Sequence, residues 1–389
     1  MLLTITASIL TLAWLGLALR GIRGMNRIPY LEHLPPAESP KVDPTLSSLT
    51  VIIAARNEEK AVGGCLESLL AQNYPGSLQI ILVDDRSTDT TGSIGDEWAA
   101  KSGGLLEVIH LTDCPPGWLG KCNAMSEGAK RAQGDFILFT DGDVRFESTS
   151  LSRAVRHMEA EEADMLVVFP DLITHSLGEG ALVLVFGQAL VTAFPPWKAM
   201  QAGSSKFVGV GAFNMVRRSL YERCGGHRFL KLQVVDDAGL GKIIKYAGGR
   251  VRVALGRNMI HIRWQDSLAG TIRGLEKNAF AGLGYSVGRT VAAVSLMLFA
   301  YLWPWLGMGF GPWQARLLCA ITALVVQPWV GWNATRLART APVLAFSLPI
   351  GALLFAWTVL RSMIVTLRKG GIRWRDSFYS LEELRQHKL

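Results

Sequence analysis

The run Phe136, Ile137, Leu138, Phe139, Thr140, Asp141, Gly142, Asp143, Val144 constrains this chain more than any other stretch. Its four consecutive apolar residues, preceded by the turn pair Gly134 and Asp135, predict a strand buried on both faces, as in a parallel sheet covered by helices. Such a strand delivers its carboxylates to the carboxyl edge of the sheet, where open α/β sheets bind ligands. Two carboxylates one residue apart suit a hard cation such as Mg2+ or Mn2+ that keeps its other positions for water and phosphate. The same residues also fit a plain strand-to-helix turn in which Asp143 caps the next helix.

The strand belongs to an alternating series. Leu49 to Ala55 reads as a strand, Glu58 to Gln72 as a helix, Leu78 to Val83 as a strand ending in Asp84 and Asp85, and Leu105 to Leu111 as another. A helix from Lys121 to Gln133 leads into the Asp-Gly-Asp strand, and Asp164 to Phe169 continues the pattern. Repeated strand, helix, strand predicts an α/β fold with a mixed, mostly parallel sheet between helices. The first strand-to-helix turn, Ala54-Ala55-Arg56-Asn57-Glu58-Glu59, lacks GxGxxG, which disfavours a dinucleotide-binding domain but not a nucleotide. Lys206 to Val216 alternates small and apolar residues; its Gly209 and Gly211 fit either a close approach of backbone to ligand or a bulged strand.

Composition matters at the two ends. Hydrophobic residues are 49% of the chain and charged residues only 19%, so part of it belongs in lipid. Met1 to Leu19 carries no charge and is followed by Arg20, Arg23 and Arg27, the pattern of an uncleaved anchor whose carboxyl side faces the cytoplasm. The expected organisation is an anchor over 1–28, a Pro-rich linker over 29–48, an α/β domain over 49–288, transmembrane helices over 289–367 and a basic tail over 368–389. Three late apolar stretches, Thr290 to Phe310, Leu317 to Trp332 and Pro342 to Leu367, supply the spans. Gly178 to Phe194, with Glu179 and Gln188 inside it, reads as an amphipathic helix lying against the membrane or covering the site. Four spans would leave the tail from Arg368 to Arg375 outside, against the positive-inside rule, and that conflict stays open.

Lys and Arg number 40 against 32 Asp and Glu, a formal charge of +8. Without a basic stripe this excess favours an anionic membrane surface or a phosphate-bearing ligand, and no nucleic acid. The five cysteines, Cys65, Cys114, Cys122, Cys224 and Cys319, form no CxxC and suggest neither zinc nor a disulfide framework.

Acidic pairs recur at strand ends and turns: Asp84 with Asp85, Asp141 with Asp143, and Asp236 with Asp237. Between the first two lies Pro115-Pro116-Gly117-Trp118-Leu119-Gly120-Lys121, where a lysine opens a helix whose amino end favours phosphate. Together these groups suit a nucleoside diphosphate: an acid for base or ribose, a lysine and a metal for the diphosphate, and a further carboxylate beyond. Each has a plainer alternative: a capped helix for Asp84 and Asp85, a solvated charge for Lys121, helix amino-terminal residues for Asp236 and Asp237. That helix dipole predicts both of the last pair to be ionised near neutral pH.

Taken in order, from Leu49 to about Asn278, the segments resemble inverting family 2 glycosyltransferases of the GT-A fold. Val51 to Glu58 resembles their opening strand and Asn-Glu turn, and Val83-Asp84-Asp85-Arg86-Ser87-Thr88-Asp89 their nucleoside-binding segment. Gly120-Lys121-Cys122-Asn123-Ala124 resembles their Gly-Lys segment, Asp141-Gly142-Asp143 their DxD site, and Val235-Asp236-Asp237-Ala238 their Thr-Glu-Asp-Ala stretch. The resemblance implies nucleotide-sugar contacts from Ala54, Arg56, Glu58, Asp84, Asp85, Lys121 and Asp141. It implies Mg2+ or Mn2+ on Asp141 and Asp143, and a catalytic base at Asp237 with Asp236 beside it. Gly209, Gly211, Arg263 and Trp264 would face the acceptor. The sequence departs from the family pattern in having Asp236 where a Glu is usual. It also has no intact Gln-x-x-Arg-Trp motif; only Ile262-Arg263-Trp264 and Arg273 to Asn278 resemble its surroundings, which favours single transfer over polymerisation.

The anchor, the Pro-Pro-Gly-Trp-Leu-Gly-Lys segment and the carboxy-terminal spans resemble the hopanoid-associated and carotenoid subgroup. That resemblance implies a polyprenoid or other lipid acceptor, whose hydroxyl or carboxylate would take the sugar of a UDP-sugar; with the arginines after the anchor, the expected place is the inner membrane with the catalytic domain facing the cytoplasm. The alternatives are a processive polysaccharide synthase, a bactoprenyl-phosphate sugar transferase, and a membrane scaffold that binds nucleotide without turnover.

Overall fold

The computed structural model describes residues 1–35, 46–263, 265–338, 340–374 and 377–386. The chain divides into two compact units, interleaved in sequence. Ile28–Ile173 and Phe194–Trp264 build a sheet unit, while Met1–Arg27, Thr174–Ala193 and Gln265–Lys388 build an apolar unit.

The helices run from α1 (Leu2–Met25) through α2 (Val62–Leu70), α3 (Thr91–Lys101), α4 (Gly120–Arg131), α5 (Ser150–Ala160), α6 (Leu177–Ala193), α7 (Pro196–Ala199), α8 (Arg218–Arg223) and α9 (Asp236–Tyr246). All but α1 and α6 of these belong to the sheet unit. The strands there are β1 (Leu49–Ala55), β2 (Leu78–Asp85), β3 (Leu106–Leu111), β4 (Phe136–Asp141), β5 (Val144–Phe146), β6 (Met165–Phe169), β7 (Asp171–Leu172), β8 (Asn214–Arg217), β9 (Val251–Leu255) and β10 (Ile260–Ile262).

Seven strands form one sheet in the order β3-β2-β1-β4-β8-β6-β9. Only β8 runs antiparallel to its neighbours β4 and β6. This mixed, mostly parallel sheet between helices is the GT-A arrangement expected from the sequence. The central strands are solid runs of Val, Ile, Leu and Phe because both faces are covered. Val51, Ile53, Leu82, Leu138 and Met215 are all buried in the main core. A three-stranded sheet, β5-β10-β7, lies beside it. The first helix starts later than the sequence pattern suggests, at Val62, because Asn57 turns the chain with φ of 54°.

Parallel register sets the site. Ala54 pairs with Val83 on one side and Asp141 on the other, and Ala55 pairs with Asp84. The ends of β2, β1 and β4 therefore present Asp84, Ala54 and Asp141 along one carboxyl edge.

In the apolar unit, α10 (Leu268–Gly282) is followed by α11 (Val287–Gly307), α12 (Trp313–Ile321), α13 (Gln327–Ala338), α14 (Leu348–Lys369), a hairpin of β11 (Gly371–Trp374) and β12 (Ser377–Ser380), and α15 (Leu381–Gln386). A π-helical turn, Thr322–Val326, joins α12 to α13 just before Pro328, whose missing N–H disturbs the regular ladder. Five helices among the described residues are long and apolar enough to cross a membrane: Leu2–Met25, Leu177–Ala199, Val287–Gly307, Trp313–Ala338 and Leu348–Lys369. The second differs from expectation. Helix α6 is apolar on every side rather than amphipathic, and its residues from Glu179 to Val185 are buried.

Candidate active site

The turns after β1 and β2 interlock before any ligand is considered. The Glu58 amide donates to Thr91 Oγ1 at 2.7 Å, the Thr88 amide to Asn57 Oδ1 at 2.8 Å, and the Asn57 amide to Ser87 Oγ at 3.0 Å. Asn57 and Arg86 both take the left-handed conformation, with φ of 54° and 57°, so each strand end turns sharply.

Asp84 is engaged on both oxygens. Its Oδ1 accepts from the Ser87 amide at 3.1 Å and its Oδ2 lies 3.1 Å from His110 Nδ1. The other ring nitrogen of His110 is 3.0 Å from Asp96 Oδ1. Asp85 instead meets the Arg86 guanidinium in a fork, with Nε to Oδ1 at 2.8 Å and Nη2 to Oδ2 at 3.2 Å. Arg56 Nη1 stands 3.9 Å from the same carboxylate. Gly120 opens α4 against this pair; a Cβ there would collide with Asp85 Oδ2.

One residue on, Lys121 reaches the acid that ends β4. Its Nζ is 2.6 Å from Asp141 Oδ1 and 3.7 Å from Asp236 Oδ2. Burial works against the ammonium charge, but Asp141, Asp236 and Asp237 together hold its pKa well above the usual lysine range. Asp143, two residues past Asp141, has its Oδ1 buried without a hydrogen-bond partner. Burial, then Asp141 and Glu58, push its pKa up to about 7.

Asp237, the second residue of α9, is held by main chain. Its Oδ2 accepts from the Gly211 amide at 2.9 Å and its Oδ1 from the Ala238 amide at 2.8 Å. The expectation of a readily ionised acid at a helix amino end does not hold for Asp237. Burial, followed by the neighbouring Asp236 charge, raises its pKa to about 6, outweighing Lys121 and the amide donors. The glycine segment passes directly over this group. A Cβ on Gly211 would lie 2.6 Å from Asp141 Oδ2 and 3.4 Å from Lys121 Nζ, and one on Gly209 would collide with the Asp237 carbonyl. Only Asn214–Arg217 of the stretch forms a strand, so Gly209 and Gly211 are loop positions of close approach.

The structure thus gathers Lys121, Asp141, Asp236, Asp237 and Gly211 into one cluster, with Arg56 and Asp85 in a second group. Arg263 is exposed and follows Ile262, which pairs with Val144 next to Asp143. Trp264 lies outside the described residues.

Among the described residues no group of three or more His, Cys, Asp or Glu converges as a closed metal site. Two carboxylates with an orphaned buried oxygen nevertheless fit a hard cation whose remaining ligands come from phosphate and water.

The family model described as glycosyl transferase family 2 matches residues 50–225. That span contains β1 to β4, Lys121, Asp141, Asp143 and Gly211. This domain belongs to glycosyl transferase family 2.

Beyond the domain, the chain is similar to 4,4'-diaponeurosporenoate glycosyltransferase of Staphylococcus aureus strain USA300, 24% identical over 343 residues covering 86% of this chain and 89% of that protein. The version from strain MRSA252 is 25% identical over 348 residues with the same coverage. Among solved structures, the mannosyltransferase PcManGT of Pyrobaculum calidifontis, in complex with GDP-Man and Mn2+, overlaps 94% of this chain and 99% of its own at 18% identity and a TM-score of 0.48.

Two residues of the candidate site carry no signal of their own in the sequence. Arg86 occupies a variable position of its motif, and only the left-handed backbone turns it onto Asp85. His110 is revealed by register alone, as the partner of Asp84 across β2 and β3.

Proposed function

We propose that this family 2 glycosyltransferase moves a sugar from a nucleotide sugar, a UDP-sugar by preference, to a polyprenoid lipid of the carotenoid or hopanoid type. The observation that carries the reading is the cluster itself: Lys121 set between Asp141 and Asp236, beside an Asp143 whose buried Oδ1 has no partner and an amide-held Asp237. The similarity to the diaponeurosporenoate enzymes over most of both chains supports a carotenoid-type acceptor.

In this reading Asp85, Arg86 and Arg56 form the nucleoside end, and Asp84 stays bound to His110 as a support for the turn. Lys121 would turn from Asp141 towards the diphosphate. Asp141 and Asp143 would hold Mg2+ or Mn2+, which supplies charge neutralisation for the departing nucleoside diphosphate. Asp237 takes the proton from the acceptor oxygen as that oxygen bonds to the anomeric carbon and the bond to the diphosphate oxygen breaks. A base with a pKa of about 6 is well matched to this task near neutral pH. A single displacement inverts the anomeric centre.

The test is purified protein in lipid nanodiscs with UDP-glucose, Mn2+ and a hydroxyl-bearing carotenoid, whose O–H needs a base to become the nucleophile. Formation of a β-linked glycoside, strongly slowed in Asp237→Asn, supports the reading. An α-linked product or UDP release without lipid glycosylation contradicts it.

A further inference from the structure

The apolar unit records the depth of each segment through its packing. Helix α1 runs parallel to α12: Leu3 lies against Gly311, Ala7 packs with Ala315 and Cys319, and the Thr11 hydroxyl meets that of Thr322 at 2.8 Å. Helix α11 runs the other way, with Trp14 Nε1 donating to the Ala300 carbonyl at 2.9 Å while Trp303 and Met308 pack with Ala7. The carboxyl ends of α1 and α13 and the amino end of α11 therefore share one end of the bundle.

Helix α14 does not start at the opposite end. After α13 the chain folds back along it: Leu344 packs with Ala334 and Ala338, and the Ala345 carbonyl sits where a Cβ on Gly331 would be. By Leu348 and Ala352 it has reached only the level of Leu10, Trp14 and Val326, in the middle of α1 and at the end of the π turn. From there α14 returns. Val294 packs with Ala356 and Val359, the Ser362 hydroxyl accepts from the Phe280 amide at 3.0 Å, and Arg385 beyond α14 donates to the Tyr285 carbonyl at 3.3 Å. Tyr285 stands just before α11, so α14 ends where α11 begins.

Helix α6 is barred from a single crossing by the sheet. Both Ile173 before it and Phe194 after it belong to the sheet unit, and β8 and β9, which follow α6, share one sheet with β1, β4 and β6, which precede it. Crossing once would put strands of one sheet on opposite sides of the bilayer. Its close fit to α14, where a Cβ on Gly351 would collide with the Ala181 carbonyl, ties it to the returning segment.

We propose that three of the five apolar segments cross the membrane, α1, α11 and α12–α13, that Pro342 to Lys369 is a re-entrant turn which enters and leaves on the same side, and that α6 packs against it without crossing. This arrangement gathers Arg20, Arg23, Arg27, Arg336, Arg368 and Lys369 at one end of the bundle, with Arg316 by the opposite loop. The basic end is a surface for the anionic, cytosol-facing leaflet. It removes the conflict over the tail, which lies inside.

Three single variants, Gly309→Cys, Ala341→Cys and Glu382→Cys, test the arrangement in intact cells with a membrane-impermeant maleimide, read against the parent chain. The proposal requires labelling of Gly309→Cys from outside, and of the other two only after permeabilisation. Labelling of Glu382→Cys from outside means that α14 crosses, and overturns the re-entrant turn while leaving the transferase reading intact. Labelling of Ala341→Cys from outside reverses α12–α13 and overturns it likewise. Gly309→Cys reacting only after permeabilisation means that α11 and α12 do not cross, and overturns the membrane arrangement as a whole.

Discussion

The Gly211 amide donates a hydrogen bond to the Asp237 carboxylate at 2.9 Å, although the two residues come from a loop and a helix 26 positions apart. The same glycine leaves no room for a Cβ beside Asp141 and Lys121. One main-chain position therefore sets Asp237, Asp141 and Lys121 relative to one another.

Gly211→Ala should disturb all three. Its Cβ would lie 2.6 Å from Asp141 Oδ2, so the carboxylate must move and the 2.6 Å Lys121 contact must break or tilt. The expected result is a loss of kcat of tenfold or more, the scale on which small misplacements of reacting groups act. Steady-state kinetics with circular dichroism as the folding control checks it.

Asp143→Asn should abolish transfer yet stabilise the metal-free protein at alkaline pH. The Asp143 pKa is raised from 3.8 to about 7, so the folded state binds the proton more tightly than the unfolded chain. Stability from this group is present below pH 4 and is lost as pH rises through 7. The loss is at most about 4 kcal/mol by linkage, and less for a partly solvated site. Melting curves should show the variant above the parent at pH 8 and level with it near pH 4, with Mn2+ raising only the parent.

His110→Gln should weaken donor binding without touching the chemical step. His110 bridges Asp96 and Asp84, and hydrogen bonds to these two acids raise its pKa, keeping it charged to higher pH than a free imidazole. Losing that bridge frees Asp84 and loosens the turn carrying Asp85 and Arg86. A raised donor KM with kcat nearly unchanged is expected; a fall in kcat alone would assign His110 another role.

Much of this site is legible in the residues because strand ends are. Leu49 to Ala55 and Leu78 to Asp85 occur as read, since solid apolar runs ending in acids have few other uses in an α/β chain. The acid strengths were not legible. Asp237 looks like an ordinary helix amino-terminal carboxylate until burial and the Asp236 charge are known. Nor was the Arg86 fork, which depends on a left-handed residue that no glycine announces. The membrane segments posed the same difficulty: length and hydropathy mark Leu348–Lys369 as a span, and only its packing against Leu10 and Trp14 shows how deep it starts.

The acid–base behaviour of Asp237 also fixes a pH profile. A base must be ionised to accept a proton, and its pKa of about 6 places the rise of kcat/KM near that pH, with activity lost below it. An acidic limb centred near 4 would point to a different carboxylate.

The most direct test of the account is the single-turnover transfer rate of Asp237→Asn, with donor affinity measured on the same sample. The account predicts a rate roughly 100-fold to 10,000-fold below the parent, the usual contribution of a general base, with donor binding unchanged. A rate within tenfold of the parent would contradict it and place the base elsewhere.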